Sequence, residues 1–138
     1  MILKGPWVNI WGNPAIHLQT TIGAYTEIGS TQKNPTKIGK CKIEARVFIP
    51  PGIVIEDDVF IGPGVLFAND KNPKATGAWN PLRTLVRRGA STGMGALIGP
   101  GLEIGEDAVI GMGAVVTKNV PAGEVWVGNP ARPIDKKA

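Results

Sequence analysis

Asn69, Asp70 and Lys71 set a carboxamide, a carboxylate and an ammonium group side by side at the start of the segment ANDKNPKATGAWNPLRT. Asn and Asp in that position either hydrogen-bond their own backbone in an Asx turn or present polar groups to a ligand, and the residue types alone allow both. Cations gather around the same segment at Lys71, Lys74, Arg83, Arg87 and Arg88, with a second group at Lys118, Arg132, Lys136 and Lys137. With a net charge of +4 and a pI near 9.4, both groups read as anion-binding regions or as solvated surface. No aromatic platform interleaves with them, so nucleic acid is not the expected partner. His17, the one histidine, lies about fifty residues before the segment and reads as a surface or packing residue rather than a general base. One histidine cannot furnish a three-histidine zinc site, and no metal is expected. Cys41, the one cysteine, cannot form an internal disulfide and reads as a small buried thiol between Ile38 and Ile43.

The elements that must position these groups repeat every six residues. Ile43, Ile49, Ile55, Ile61 and Phe67 share one six-step frame, and Val86, Thr92, Ile98, Ile104, Ile110 and Val116 share another. Four residues after each, Phe67 excepted, stands a second apolar position: Val47, Ile53, Val59 and Val65, then Ala90, Ala96, Leu102, Ala108, Ala114 and Val120. Six fits neither the 3.6 period of a helix nor plain strand alternation, but it fits short strands broken by regular turns. The chain is therefore an all-β solenoid, with coils of roughly 18 residues stacked at roughly 4.8 Å and about six coils in all. Thr92 puts a hydroxyl at an inward position, where it needs a backbone partner. Outward Val54, Phe60, Leu66 and Val109 leave apolar surface, which predicts a homotrimer.

Two segments break the frame. Residues 30–37, STQKNPTK, read as a short bulge at a corner, with one residue deleted between Ile38 and Ile43. Residues 68–84 are longer and carry Trp79; a loop this long in a tight solenoid reads as a binding loop. The organisation expected is one domain over 1–138, with an inserted loop at 68–85, a short tail at 129–138, and N-terminal coils that are short and irregular. No apolar run approaches 18 residues and MILKGPWVNIWG lacks a signal-peptide pattern, so a soluble cytoplasmic protein without a membrane partner is expected.

The Ile-Gly repeats resemble the hexapeptide-repeat acyltransferases, and the resemblance implies a left-handed parallel β-helix. The stretches GPGVLFANDKNPKA, TLVRRGASTGMGALIGPGLEIGEDAVIGMGAVVTKNVPAG and VGNPAR are most similar to N-acetyltransferases of nucleotide-linked 3-amino sugars. Asn69, Asp70 and Lys71 match that family's F-x-N-D-K, and Gly128 to Arg132 match its closing G-N-P-A-R. Val116 to Pro121 match its V-V-T-K-D-V-P with Asn119 in place of Asp. Thr92 departs from the Ile usual there.

The resemblance implies acetyl transfer from acetyl-CoA to the amine of a nucleotide sugar for surface polysaccharide synthesis, with Asn69 and Asp70 as the catalytic pair. Asn69 would hold the amine or the thioester carbonyl, and Asp70 would orient the amine or accept its proton. Lys71, Arg83, Arg87 and Arg88 would bind the sugar nucleotide. Gly93, Gly95, Gly111 and Gly113 would let the pantetheine arm approach the backbone, with Lys118 and Arg132 facing its phosphates. Trp126 would stack on the adenine or cover the last coil; the residues leave both open. The alternatives are another acceptor (a 4-amino sugar, a serine or another hydroxyl) and a non-catalytic assembly or sugar-binding solenoid. Lack of a loop histidine argues against hydroxyl acceptors, which need a base more.

Overall fold

Short strands recur wherever the six-residue frame places a β-branched residue inward, and a turn follows each one. The structure, a computed structural model, describes residues 2–135. Lys136 and Lys137 of the second basic group lie outside the described residues. The strands stack into three parallel sheets, giving a β-solenoid of about 7 turns. The first sheet has eight strands and runs from Leu3–Lys4 through Phe60–Ile61 to Val125–Gly128 and Ala131–Ile134. The second has six, from Asn9–Trp11 to Val115–Val116, and the third has five, from Ala15–Ile16 to Glu103–Ile104.

Register converts the repeat into continuous inward columns. Ile22, Ile43, Ile61, Thr92, Ile110 and Trp126 stack in the first sheet. Ile16, Ile38, Ile55, Val86 and Ile104 stack in the third, and Ile104 bridges to Val120. These columns and the Val and Ala residues at the second inward position form the hydrophobic core. Leu102 is only partly buried against it. The Thr92 hydroxyl, fully buried, donates to Phe60 O at 3.4 Å.

The N-terminal coils keep the repeat as far as Ile28, and the 30–37 bulge and the five-residue step from Ile38 to Ile43 then interrupt it. Ile10, Ile16, Ile22 and Ile28 keep the six-residue step. Their second inward positions include Thr20, Thr26 and Thr36, which obscures the apolar pattern. Each hydroxyl is satisfied by the coil above: Thr20 donates to Gly39 O at 2.7 Å, Thr26 to Glu44 O at 3.0 Å and Thr36 to Pro50 O at 3.3 Å. A buried hydroxyl with such a partner carries little penalty. Ala131–Ile134 pairs antiparallel with Val125–Gly128 at the end of the first sheet.

Most corners turn through one residue of positive φ, three positions after the inward residue. Between the first and second sheets these are Trp7, Tyr25, Arg46, Gly64, Gly95 and Gly113, with φ from 55° to 74°. The glycine directly after the inward residue serves another purpose. A Cβ on Gly105 would lie 2.4 Å from Ala122 N, because the next coil crosses there. Left-handed backbone costs a non-glycine residue about 1–2 kcal/mol. Trp7 stacks on Tyr25 at 5.1 Å, and Arg46 lies 5.5 Å from the Tyr25 ring centre. At exposed positions such contacts return about 0.5–1.5 and 0.5–1 kcal/mol. The stack therefore does not recover the cost of three bulky residues in that backbone.

Candidate active site at the loop corner

Both frame-breaking segments emerge at the corner between the second and third sheets. The backbone is irregular over 68–83 and the strand Thr84–Val86 resumes one residue before the boundary read from sequence. Asn69 fixes both ends of the loop: its Nδ2 donates to Pro51 O at 2.9 Å, and its carbonyl accepts from Leu82 N at 2.7 Å. Asp70 Oδ1 accepts from Asn72 N at 2.9 Å, an Asx turn. Both side chains are partly exposed, so each keeps polar capacity for a ligand. Asp70 and Lys71 then share a cavity of about 250 Å³ with Asn72, Ala78, Asn80 and Leu82.

The loop touches its neighbours near its end, while residues 71–80 are all exposed. Leu82 packs where a Gly101 side chain would project, its Cδ1 3.1 Å from that point. One coil below, the position a Gly52 side chain would take is 3.7 Å from both Asn34 Cβ and Leu82 O. The 30–37 bulge is thus a neighbour of the loop across Pro51 and Gly52. Sequence reading missed this, because 18-residue stacking brings together residues far apart in the chain.

Beside the loop, an apolar cavity of about 300 Å³ crosses the second sheet, lined by Leu66, Phe67, Ala68, Leu97, Val115 and Thr117 among others. It ends at Ala68, next to Asn69. Leu66 and Leu97, 43% and 42% exposed, belong to an outward column with Phe48. The other outward apolar residues read from sequence are dispersed, Val54 on the third sheet and Phe60 and Val109 on the first. The continuous apolar strip is therefore on the second sheet.

The remaining site residues separate into distinct places. Arg83 is exposed where the loop ends. Arg87 and Arg88 lie at the next corner, beyond Thr84–Val86, and both face carboxylates. Arg87 Nη2 is 2.6 Å from Glu103 Oε1, Arg87 Nη1 is 3.4 Å from Glu56 Oε2, and Arg88 Nη2 is 3.7 Å from Asp57 Oδ2. The hydrogen bond to Glu103, aided by charge attraction to Glu103 and Glu56, raises the Arg87 pKa further. These two arginines are not grouped with Asn69 and Asp70, because they follow the third sheet and the loop corner follows the second.

Gly93 and Gly111 owe their missing side chains to coil stacking: a Cβ on Gly93 would lie 2.6 Å from Met112 N, and one on Gly111 would lie 2.7 Å from Val127 Cγ1. Gly95 and Gly113 border open space, with nothing within 4 Å of an added Cβ. Lys118 is exposed at the loop corner two coils up, whereas Arg132 pairs in register with Val127 and donates to Ala131 O at 2.8 Å. The second sheet lies between the two cations. Trp126 is buried in the last coil, stacked in register on Ile110, so it covers the core rather than waiting for an adenine.

His17 occupies the first coil, three strand spacings from the loop's coil in the third sheet, roughly 14 Å. Its Nδ1 accepts from Gln19 N at 3.0 Å. Cys41 Sγ donates to Glu56 O at 3.0 Å, and burial, the largest influence, pushes the thiol pKa up from 9.0 to about 11. It is no nucleophile at neutral pH. Among the described residues no group of three His, Cys, Asp or Glu could hold a metal ion, and no helix is long and apolar enough to cross a membrane.

The β-solenoid fold is shared with solved sugar N-acyltransferases. The chain superposes on the acetyltransferase domain of PglB from Neisseria gonorrhoeae, solved with acetyl coenzyme A, with a TM-score of 0.80 and 18% identity, covering 96% of this chain and 57% of that one. Perosamine N-acetyltransferase from Caulobacter crescentus, solved with CoA and GDP-perosamine, gives a TM-score of 0.80 at 20% identity over 98% of this chain and 58% of that one. The N-acyltransferase AntD from Bacillus cereus, solved with dTDP-4-amino-4,6-dideoxyglucose and coenzyme A, gives 0.80 at 16% identity over 96% of this chain and 82% of that one. At these identities the likeness is one of fold, and the chain spans under three fifths of the first two. In sequence, a provisionally named acetyltransferase of Schizosaccharomyces pombe is 48% identical over 44 residues, 32% of this chain and 21% of that protein. No protein-family model matches.

Proposed function

We propose that this chain is an acetyl-CoA-dependent N-acetyltransferase whose acceptor is the amino group of a nucleotide-linked sugar, working as a homotrimer. The observation that carries the reading is the position of Asn69 and Asp70 at the end of the apolar groove on the second sheet. In this reading the pantetheine arm crosses that groove from the open Gly95 and Gly113 corner, and its thioester reaches Ala68 and Asn69. The neutral amine attacks the acetyl carbon, the C–S bond breaks, and the amine proton passes through Asp70 or directly to the departing thiolate. Asn69 contributes its unused amide valences to the carbonyl or the amine while its bond to Pro51 O holds the loop. Lys71 and Arg83 face the anionic part of the acceptor. The Phe48, Leu66 and Leu97 strip supports contact between copies.

The motif match favours a 3-amino sugar. A 4-amino acceptor is the second reading, favoured by the perosamine and 4-amino-dideoxyglucose ligands of the structural neighbours. Acetyl-CoA is incubated with a panel of 3-amino and 4-amino nucleotide sugars and thiol release is followed. Acceptor-dependent release is expected, fastest with a 3-amino sugar. Release with no member of the panel overturns the proposal.

A further inference from the structure

Pro50, Pro51 and Gly52 carry the chain from the second sheet to the third in the coil below the loop, and all three are buried although the turn stands at a corner. The position a Gly52 side chain would take is 3.7 Å from Asn34 Cβ of the bulge and from Leu82 O of the loop, so the turn lies between the two insertions. Proline brings no N–H, which leaves this turn its carbonyls and Gly52 N as backbone polar groups. Thr36, where the chain resumes its strand after the bulge, takes two of them: its hydroxyl donates to Pro50 O at 3.3 Å and accepts from Gly52 N at 3.1 Å. The loop takes the others. Pro51 O accepts from Asn69 Nδ2 at 2.9 Å, and Gly52 O accepts from Thr84 N at 3.3 Å. Buried backbone groups need partners, and here each one is paired with a residue at the edge of an insertion. Thr36 is itself fixed, since its N donates to Ser30 Oγ at 3.0 Å and joins the two ends of the bulge.

We propose that Thr36 is a positioning residue for Asn69, acting through this buried turn from two strand spacings away, roughly 10 Å. The same hydroxyl bracket occurs twice elsewhere. Thr20 donates to Gly39 O at 2.7 Å and accepts from Cys41 N at 3.4 Å, and Thr26 donates to Glu44 O at 3.0 Å and accepts from Val47 N at 3.3 Å. Those two brackets hold turns at other corners, whereas the turn held by Thr36 carries the carbonyl that anchors a loop side chain. Without the Thr36 hydroxyl, Pro50 O and Gly52 N lose their partner, the turn between them relaxes, and Pro51 O moves with it. Asn69 follows, because its amide is anchored on that oxygen. A misplacement of about 1 Å at a reacting group costs on the order of a hundredfold in rate, so a buried methyl in place of a hydroxyl reaches turnover without touching substrate. The inference rests on the acetyl-transfer reading of Asn69.

The test uses the full chain with Thr36→Val, Thr36→Ser and the matched control Thr26→Val. Thiol release from acetyl-CoA is measured with the best acceptor of the panel. Melting temperatures are recorded, together with the side-chain amide resonances of Asn69, assigned by their absence in Asn69→Ala. Both valine variants lose a bracket of the same kind, so both should melt lower than the parent. Expected is a kcat lower by roughly tenfold or more in Thr36→Val, with the KM for acetyl-CoA within about threefold, and a kcat within about threefold of the parent in Thr36→Ser and Thr26→Val. The Asn69 resonances should shift in Thr36→Val and not in Thr26→Val. Turnover within about threefold of the parent in Thr36→Val, or an equal fall in Thr26→Val, overturns the proposal. A parent without turnover on any acceptor overturns the acetyl-transfer reading instead, and the resonances then decide: unshifted Asn69 signals in Thr36→Val overturn the proposal, and shifted ones uphold the link from Thr36 to Asn69. Should Thr36→Val not fold, Thr36→Ala against Thr26→Ala makes the same comparison.

Discussion

Asp70→Asn separates the two duties that the loop corner gives this residue. Asp70 Oδ1 accepts from Asn72 N at 2.9 Å, and the Asn side-chain oxygen can accept the same bond. The loop should keep its Asx turn, with a stability change within about 0.5 kcal/mol because the site is at the surface. What disappears is the carboxylate charge. If Asp70 orients or deprotonates the amine, turnover should fall by roughly tenfold to a thousandfold, the range for lost positioning or proton transfer. Asp70→Ala also removes the turn bond, worth about 0.5–1.5 kcal/mol, and should lose at least as much activity. The assay is thiol release from acetyl-CoA with the best acceptor in the panel, with KM and kcat measured separately and folding followed by circular dichroism. Activity within threefold of the parent in Asp70→Asn refutes a chemical role for the carboxylate and leaves the Asx turn as its whole function.

Asn69→Ala should lower stability as well as turnover, since it leaves the buried Pro51 carbonyl without its 2.9 Å partner. The expected cost is about 1–3 kcal/mol in chemical unfolding, and an unchanged midpoint contradicts the anchoring role. His17→Asn should change turnover by less than about threefold, and loss of activity in folded protein would overturn the assignment of His17 to the surface. Thr92→Ile should be neutral or stabilising, since its 3.4 Å bond is long and its column neighbours Ile61 and Ile110 are already isoleucine. A loss above about 1 kcal/mol in unfolding would show that this hydroxyl bond matters. Cys41 should resist thiol reagents near neutral pH in the native state. Its folded pKa, about 11, lies above the unfolded 9.0, so its contribution to stability is complete below pH 9 and is lost as pH rises towards 11. Rapid native-state labelling at pH 8 would contradict that burial.

The six-residue step of isoleucine and valine determined the solenoid, because side-chain period is a local property that any coil of this kind must satisfy. The same locality placed the inserted loop and marked Asn69, Asp70 and Lys71 at its start. The pattern was less legible in the first coils, where Thr20, Thr26 and Thr36 stand inward and only the backbone of the next coil explains how they are satisfied. Stacking also decided which cations remain available. Arg87 and Arg88 look like part of the loop's charge in sequence, yet Glu56, Asp57 and Glu103 arrive from neighbouring coils to pair with them. The glycines divide the same way: Gly93 is dictated by the crossing coil and Gly95 by its left-handed turn, although the sequence presents them two residues apart as equals. Tertiary structure alone joined Trp7, Tyr25 and Arg46 into one stack, because residues 18 or more apart become neighbours only when the coils close.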